Sequence, residues 1–214
     1  MRKLILTLFI IIASQALKAQ SAGYAPVTDA ADFAKFKEQF TAIAKQTETI
    51  KSDFLQEKNL SMLSEKITSK GKFWFKKDNL LRMEFDEPYA YLMILNKDNM
   101  YIKDGQKESR LSLKSNKIFQ QINKIIVNCV QGTVFNDDDF TVKLYESKSG
   151  YMIELSPVTK GLKDFFKNID VVITKKDYSV TTIIMNENSG DDTTLHFTNR
   201  ELNTPIPDAL FAIK

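Results

Sequence analysis

The 214-residue sequence contains one cysteine and one histidine. A single cysteine cannot close an intramolecular disulfide, and it cannot build a cysteine zinc cluster. A single histidine removes the multi-histidine metal sites. Only seven glycines are present, and no glycine-rich phosphate loop occurs among them. A Gly-x-Ser-x-Gly nucleophile elbow is also missing. Beyond the N-terminus no apolar run approaches the ~20 residues that a bilayer-spanning helix needs. Tryptophan occurs once, against 15 Phe and 7 Tyr. The rest of the composition, 43% hydrophobic and 27% charged, is that of a globular protein rather than a disordered chain or a coiled coil.

The first residues are of a different kind. Arg2 and Lys3 precede an apolar stretch over 4–13, and Ala16-Leu17-Lys18-Ala19-Gln20 follows. A charged start, a short apolar run and a small residue at the cleavage point are the order of an export signal. Cleavage is expected after Ala19, which leaves 20–214 as a single domain, soluble in the periplasm. Cys129 lies far from the new terminus, so no lipid anchor is expected there. The removed segment carries Arg2, Lys3 and Lys18 and no acid. Lys plus Arg therefore falls by three from 30 to 27, equal to the 27 acidic residues. A net charge of zero removes the electrostatic basis for binding nucleic acid.

Periodicity orders the remainder. Residues 20–28 read as a flexible lead. Asp29 is a fair N-cap for a helix over 29–45, in which Phe33, Phe36, Phe40 and Ile43 recur at helical spacing. The period then becomes two. Ile50, Ser52 and Phe54 share one strand face. Gly71, Phe73 and Phe75 alternate with lysines and Trp74, Lys77-Asp78-Asn79 makes a turn, and Leu81, Met83 and Phe85 alternate on the return strand. Further strands are expected at 91–96, 100–103 and 110–113. Ile118, Phe119, Ile122, Ile125, Ile126 and Val130 form the stripe of a central helix that Gly132 stops. Strands follow at 140–146, 151–157, 166–174, 180–186 and 193–198, and residues 207–211 close the chain with a turn of helix. About ten strands and two main helices predict an α+β fold, mainly β, with an antiparallel sheet or barrel.

Catalytic chemistry is hard to place. His196 alternates with Leu195 and Phe197 and reads as a strand residue on the more polar face. Cys129 shares a helix with Ile122 and Ile126 and reads as a buried thiol. Asp137-Asp138-Asp139 lacks the spacing of a calcium loop and reads as a solvated turn. Lys114, Lys117 and Lys124 read as a solvated basic face. Glu84 with Asp86, or Asp53 with Glu57, would be the carboxylate pairs for a hydrolase. The apolar surplus on the hairpins and helices is either a packed core or the wall of an acyl-chain cavity.

Three segments bear on that choice. They are Ile50-Lys51-Ser52-Asp53-Phe54-Leu55-Gln56-Glu57-Lys58, the hairpin from Gly71-Lys72-Phe73-Trp74-Phe75 through Lys77-Asp78-Asn79 to Leu81-Arg82-Met83-Glu84-Phe85, and Pro88-Tyr89 with the strands after it. Together they resemble the periplasmic outer-membrane lipoprotein carriers, the LolA family. The resemblance spans roughly 33–211, and it implies a half-open antiparallel β-barrel covered by a helical lid. It implies a carrier and no enzyme, without cofactor or metal. Such a carrier takes acylated outer-membrane lipoproteins from an inner-membrane ATP-driven extractor and delivers them, as a monomer, to an acceptor at the outer membrane. A lipoprotein-sensing regulatory module is the alternative on the same fold. The acyl-binding wall is then expected from Phe36, Phe40, Phe54, Phe73, Phe75, Leu81, Met83, Phe85, Ile122, Ile125 and Ile126. By the hairpin match Lys77 stands where the family has an arginine that gates the lid, and Lys cannot copy that planar fork.

Overall fold

Asp29 opens the first helix as its cap residue. Its Oδ1 accepts from the N–H groups of Ala31 at 2.6 Å and Asp32 at 3.4 Å, which satisfies donors that the first turn leaves unpaired. The computed structural model describes residues 23–63, 65–115 and 117–213. The expected export signal and its cleavage point lie outside them. In chain order the elements are β1 (Ala25–Pro26), α1 (Ala30–Lys45), β2 (Thr49–Leu60), β3 (Glu65–Lys76), β4 (Leu80–Glu87), β5 (Tyr91–Asn96), β6 (Asn99–Asp104), β7 (Lys107–Ser112) and α2 (Lys117–Gln131). After them come β8 (Phe140–Glu146), β9 (Gly150–Pro157), α3 (Lys160–Lys163), β10 (Phe166–Thr174), β11 (Val180–Glu187) and β12 (Asp192–Leu202), with a final 3₁₀ turn at Asp208–Phe211.

All twelve strands belong to one open antiparallel sheet in the order β1-β8-β9-β10-β11-β12-β2-β3-β4-β5-β6-β7. Two meanders, β2–β7 and β8–β12, are joined where β12 pairs with β2. One edge is β7, exposed along its whole length. At the other edge β1 covers two residues of β8, pairing Ala25 with Glu146 and Pro26 with Tyr145. Residues 25 and 26 are therefore part of the sheet and not of a flexible lead. An edge accepts any extended segment, and no side-chain pattern announces it. The β2–β3 hairpin is also longer than its alternation suggests, with pairing continued out to Leu60 and Glu65.

Period two places Phe54, Phe73, Phe75, Leu81 and Met83 on the inner face, where they join strands β8–β12 and both long helices in one buried cluster. At β3 the register requires a glycine. A Cβ on Gly71 would lie 2.0 Å from the Glu84 carbonyl oxygen and 2.9 Å from the Phe54 ring. Phe54 in turn meets Phe85 edge-on at 4.9 Å. A second, smaller cluster lies on the outer face, where Ile206 and Phe211 fold back over Ile94 and Tyr101. Arg82 Nη1 and Asn96 Nδ2 hold this segment by donating to the carbonyls of Leu210 and Phe211, each at 3.1 Å.

The helix α2 is fastened at its C-terminal end. Lys124 Nζ donates to Asp137 Oδ1 and Asp139 Oδ2, both at 2.7 Å, and Asn128 Nδ2 donates to Asp137 Oδ2 at 2.8 Å. Asp137 is buried, with its side chain 2% exposed. The aspartate run is thus a buried anchor rather than a solvated turn, and Lys124 belongs to it rather than to a solvated face. Burial works against the charge on Lys124, but the two carboxylates outweigh it and raise the pKa above the ordinary lysine value. Gly132 follows at φ +68°, close against α1; a Cβ there would lie 2.8 Å from that of Ala44. Thr41 Oγ1 donates to its carbonyl at 3.0 Å. The Ile118 and Phe119 side chains, at the other end of the expected stripe, lie outside the described residues.

Two stability measurements follow from this packing. Leu81 is 1% exposed in the core, so Leu81→Glu buries an unpaired charge and should abolish the cooperative urea transition altogether. Lys124→Met leaves Asp137 without its cation. The expected loss is about 2 kcal/mol in urea unfolding, below the ~3–5 kcal/mol of a fully buried pair because Lys124 is 42% exposed. An unchanged urea midpoint for Lys124→Met would show that the anchor contributes nothing.

Candidate functional site

Between the helices and the inner face lie two cavities. The larger, about 200 Å³, is bounded by Met83, Phe85, Met93, Met185 and Leu195 on the sheet and by Ile122, Ile125 and Ile126 on α2. Its walls are almost wholly apolar, and three methionines make them adaptable in shape. The smaller, about 70 Å³, lies toward the C-terminal end of α1. Phe40, Ile43 and Ala44 of α1 line it with Ile50, Ser52 and Phe73 of the sheet, and Cys129, Val180, Phe197 and Arg200 border it together with the polar Thr47, Tyr178 and Ser179. Ile126 on α2 and Ile183 on β11 border both cavities.

Strand parity accounts for this lining. Phe73 and Met83 are cross-strand partners on β3 and β4, and Met83 pairs in turn with Met93 on β5. Ile183 and Leu195 pair across β11 and β12. On the helix side, Ile122, Ile125 and Ile126 fall at the i, i+3, i+4 spacing that turns three side chains to one face. Of the residues expected to line an acyl site, Phe40, Phe73, Met83, Phe85, Ile122, Ile125 and Ile126 border one or both cavities. Phe36, Phe54, Phe75 and Leu81 border neither and pack as core. Phe36 sits in an aromatic group with Phe40, Tyr151 and Phe135. Met93, Ile183, Met185 and Leu195 were not among the expected residues, although the alternation in their strands marks all of them.

Lys77, at the β3–β4 turn, donates to the Lys45 carbonyl at 3.4 Å and to Glu48 Oε1 at 2.5 Å. It thus holds the last turn of α1. Cys129 is buried, and burial pushes its thiol up to about 12. It is a wall residue and not a nucleophile. The candidate hydrolytic groups face away from both cavities. Glu84 Oε2 accepts from Arg82 Nε and Nη2, Asp53 accepts from Asn199, and Glu57 is paired with Lys66. His196 is 3.7 Å from Glu57 on the same outer side. Among the described residues no three His, Cys, Asp or Glu side chains group to hold a metal ion, and no helix is long and apolar enough to cross a membrane.

This architecture recurs in other proteins. An uncharacterised conserved protein from Thermus thermophilus superimposes with a TM-score of 0.51 at 8% identity, over 86% of this chain and 94% of that one. A LolA superfamily protein from Nitrosomonas europaea gives 0.46 at 13% identity, over 84% and 97%. The Mycobacterium tuberculosis lipoprotein LppX gives 0.46 at 9% identity, over 84% and 99%. No curated protein matches the chain significantly. The sequence pattern described as outer membrane lipoprotein carrier protein LolA matches residues 45–214. That match takes in every strand from β2 to β12 together with α2, and with it the chain belongs to the LolA family.

Proposed function

We propose that this protein is a carrier that shelters the acyl chains of lipoproteins under α2 and moves them from the inner to the outer membrane. The observation that carries the reading is the pair of largely apolar cavities beneath α2, which Lys124 and Asn128 anchor to Asp137. Each CH₂ kept from water contributes ~0.8 kcal/mol, so a chain drawn out of a membrane needs such a shelter to cross an aqueous space. Together the cavities hold slightly less than the ~300 Å³ at the low end of ordinary ligand pockets. In this reading they belong to a closed form, and loading a full acyl chain moves α2 off the sheet. A shelter that enlarges only on opening binds reversibly, because the work of opening opposes the gain from burial.

In this reading, cargo arrives from an ATP-driven extractor in the inner membrane and leaves to an acceptor at the outer one. The wall that touches the chains is Phe40, Phe73, Met83, Phe85 and the three isoleucines of α2. Phe36, Phe54, Phe75 and Leu81 stiffen it from behind. Lys77, bound to the end of α1, holds the second helix of the cover in place of the arginine that gates the family's lid. The protein works as a binding module without chemistry of its own, exported to the periplasm by its N-terminal signal.

The test is uptake of a fluorescent triacylated lipopeptide by the mature protein. Wild type should bind it, and Met185→Gln should weaken binding by roughly tenfold, the effect of about 1.4 kcal/mol, while the circular dichroism spectrum stays unchanged. A folded wild-type protein that takes up no lipopeptide, and carries no acyl species when purified from its periplasm, overturns the carrier reading.

A further inference from the structure

Ser52 does not suit its surroundings. It sits on the inner face of β2, directly opposite Phe73 and two residues before Phe54. It is 2% exposed, and its hydroxyl has no hydrogen-bond partner within the protein. A buried unpaired hydroxyl costs ~1–3 kcal/mol, whereas alanine at the same place would cost nothing in hydrogen bonding. The side chain is one of the walls of the smaller cavity.

The other strand next to Ser52 is irregular at the same point. β12 pairs Thr198 with Asp53 and resumes with Glu201 against Lys51. Between these two pairs β2 has only Ser52, while β12 has both Asn199 and Arg200. This is a bulge of one residue, and Asn199 at φ +50° makes its bend. Its effect is to switch parity. Asn199 turns outward and donates to Asp53 Oδ2 at 2.8 Å, and Arg200 turns inward to the cavity, across from Ser52. Without the extra residue, the alternation of Leu195 and Phe197 would continue to Asn199 and leave Arg200 outside.

Arg200 spends one N–H on the Val180 carbonyl, Nη1 to oxygen at 2.7 Å. A guanidinium has five such donors in a fixed fork, so the group is held in place with others still to offer. Its charge acts on Asp177 in the β10–β11 turn. Burial raises that carboxyl, but hydrogen bonds from Ser179 and the charge of Arg200 outweigh it and hold the pKa below the usual range. A mainly apolar slot, with Thr47, Tyr178 and Ser179 also at its wall, thus has an unpaired hydroxyl on the sheet side and a fixed cation beside it. At about 70 Å³ it has room for roughly two water volumes of ~30 Å³ each. That is enough for a polar end group and not for a chain. The chain has a continuation, since Ile126 and Ile183 are shared with the larger apolar cavity.

We propose that the smaller cavity is the carbonyl end of an acyl-chain site. Ser52 donates its hydroxyl to the acyl carbonyl oxygen, Arg200 faces the charge when that group is a free carboxylate, and the tail runs under Ile126 and Ile183 into the larger cavity. This rests on the carrier reading only in taking the ligand to be an acyl chain. The carbonyl belongs either to an ester-linked chain of a lipoprotein or to a free fatty acid, and the two are separable.

The experiment is displacement of a fluorescent acyl probe from the mature protein by palmitate and by methyl palmitate, for wild type, Ser52→Ala and Arg200→Gln. Ser52→Ala should weaken both ligands roughly tenfold, the loss of one buried hydrogen bond to the ligand. The empty Ser52→Ala protein should melt at the wild-type temperature or above it, because it loses an unpaired hydroxyl. A merely structural serine would lower the melting temperature instead. Arg200→Gln should weaken palmitate and spare the ester. A wild-type preference for palmitate identifies the free acid as the ligand, and equal or better binding of the ester identifies the esterified chain. Wild-type affinity of both variants for both ligands, or a melting temperature reduced by Ser52→Ala, overturns the proposal. If the triacylated lipopeptide still binds in that case, the carrier reading stands without it.

Discussion

An open sheet in water has two faces and cannot leave an apolar one uncovered. In this chain the inner face carries Phe, Leu, Met and Ile from nearly every strand, and everything else in the fold answers to that. Helices α1 and α2 lie on it and share one buried cluster with it. The outer face is mostly polar and carries the ion pairs. Where it turns apolar, around Ile94 and Tyr101, the segment ending at Phe211 folds back to cover it. The same drive that builds the core therefore fixes where the helices sit, and the imperfect fit between rigid helices and a pleated face leaves the cavities between them.

The cover is not held uniformly. Near Gly132 α2 is tied to α1 and to the loop before β8 by Thr41, Lys124, Asn128 and Asp137. Over the larger cavity its contacts are isoleucines against methionine and phenylalanine, which are non-directional. Lys124 stands between Ile122 and Ile125, so the polar anchor and the apolar wall share the same turns of α2.

Much of this was legible in the residue order. Asp29 before a run of Phe at helical spacing marks α1, and the alternation from Gly71 to Phe85 around Lys77-Asp78-Asn79 gives both the hairpin and its inner face. Three things were not legible, each for a physical reason. Periodicity assigns a residue to a face but not to a void, so Phe75 and Leu81 could not be told from Phe73 and Met83. Three consecutive aspartates look solvated until a lysine 13 residues earlier, on another element, is brought to the first of them. The strand expected at 193–198 runs on to Leu202 through a bulge at Asn199 that breaks the alternation, so nothing in the residue order places Arg200 until the register against Ser52 is seen.

The strand that closes nothing has its own consequence. A half-open barrel keeps an edge strand, here β7, and a sheet edge is a template on which another copy could add a strand. Along this edge, however, lie Lys107, Glu108 and Arg110. A second β7 laid antiparallel against it would have to bring its own charges into a narrow, partly dehydrated seam. Edge-to-edge polymerisation is thereby discouraged without a barrel wall.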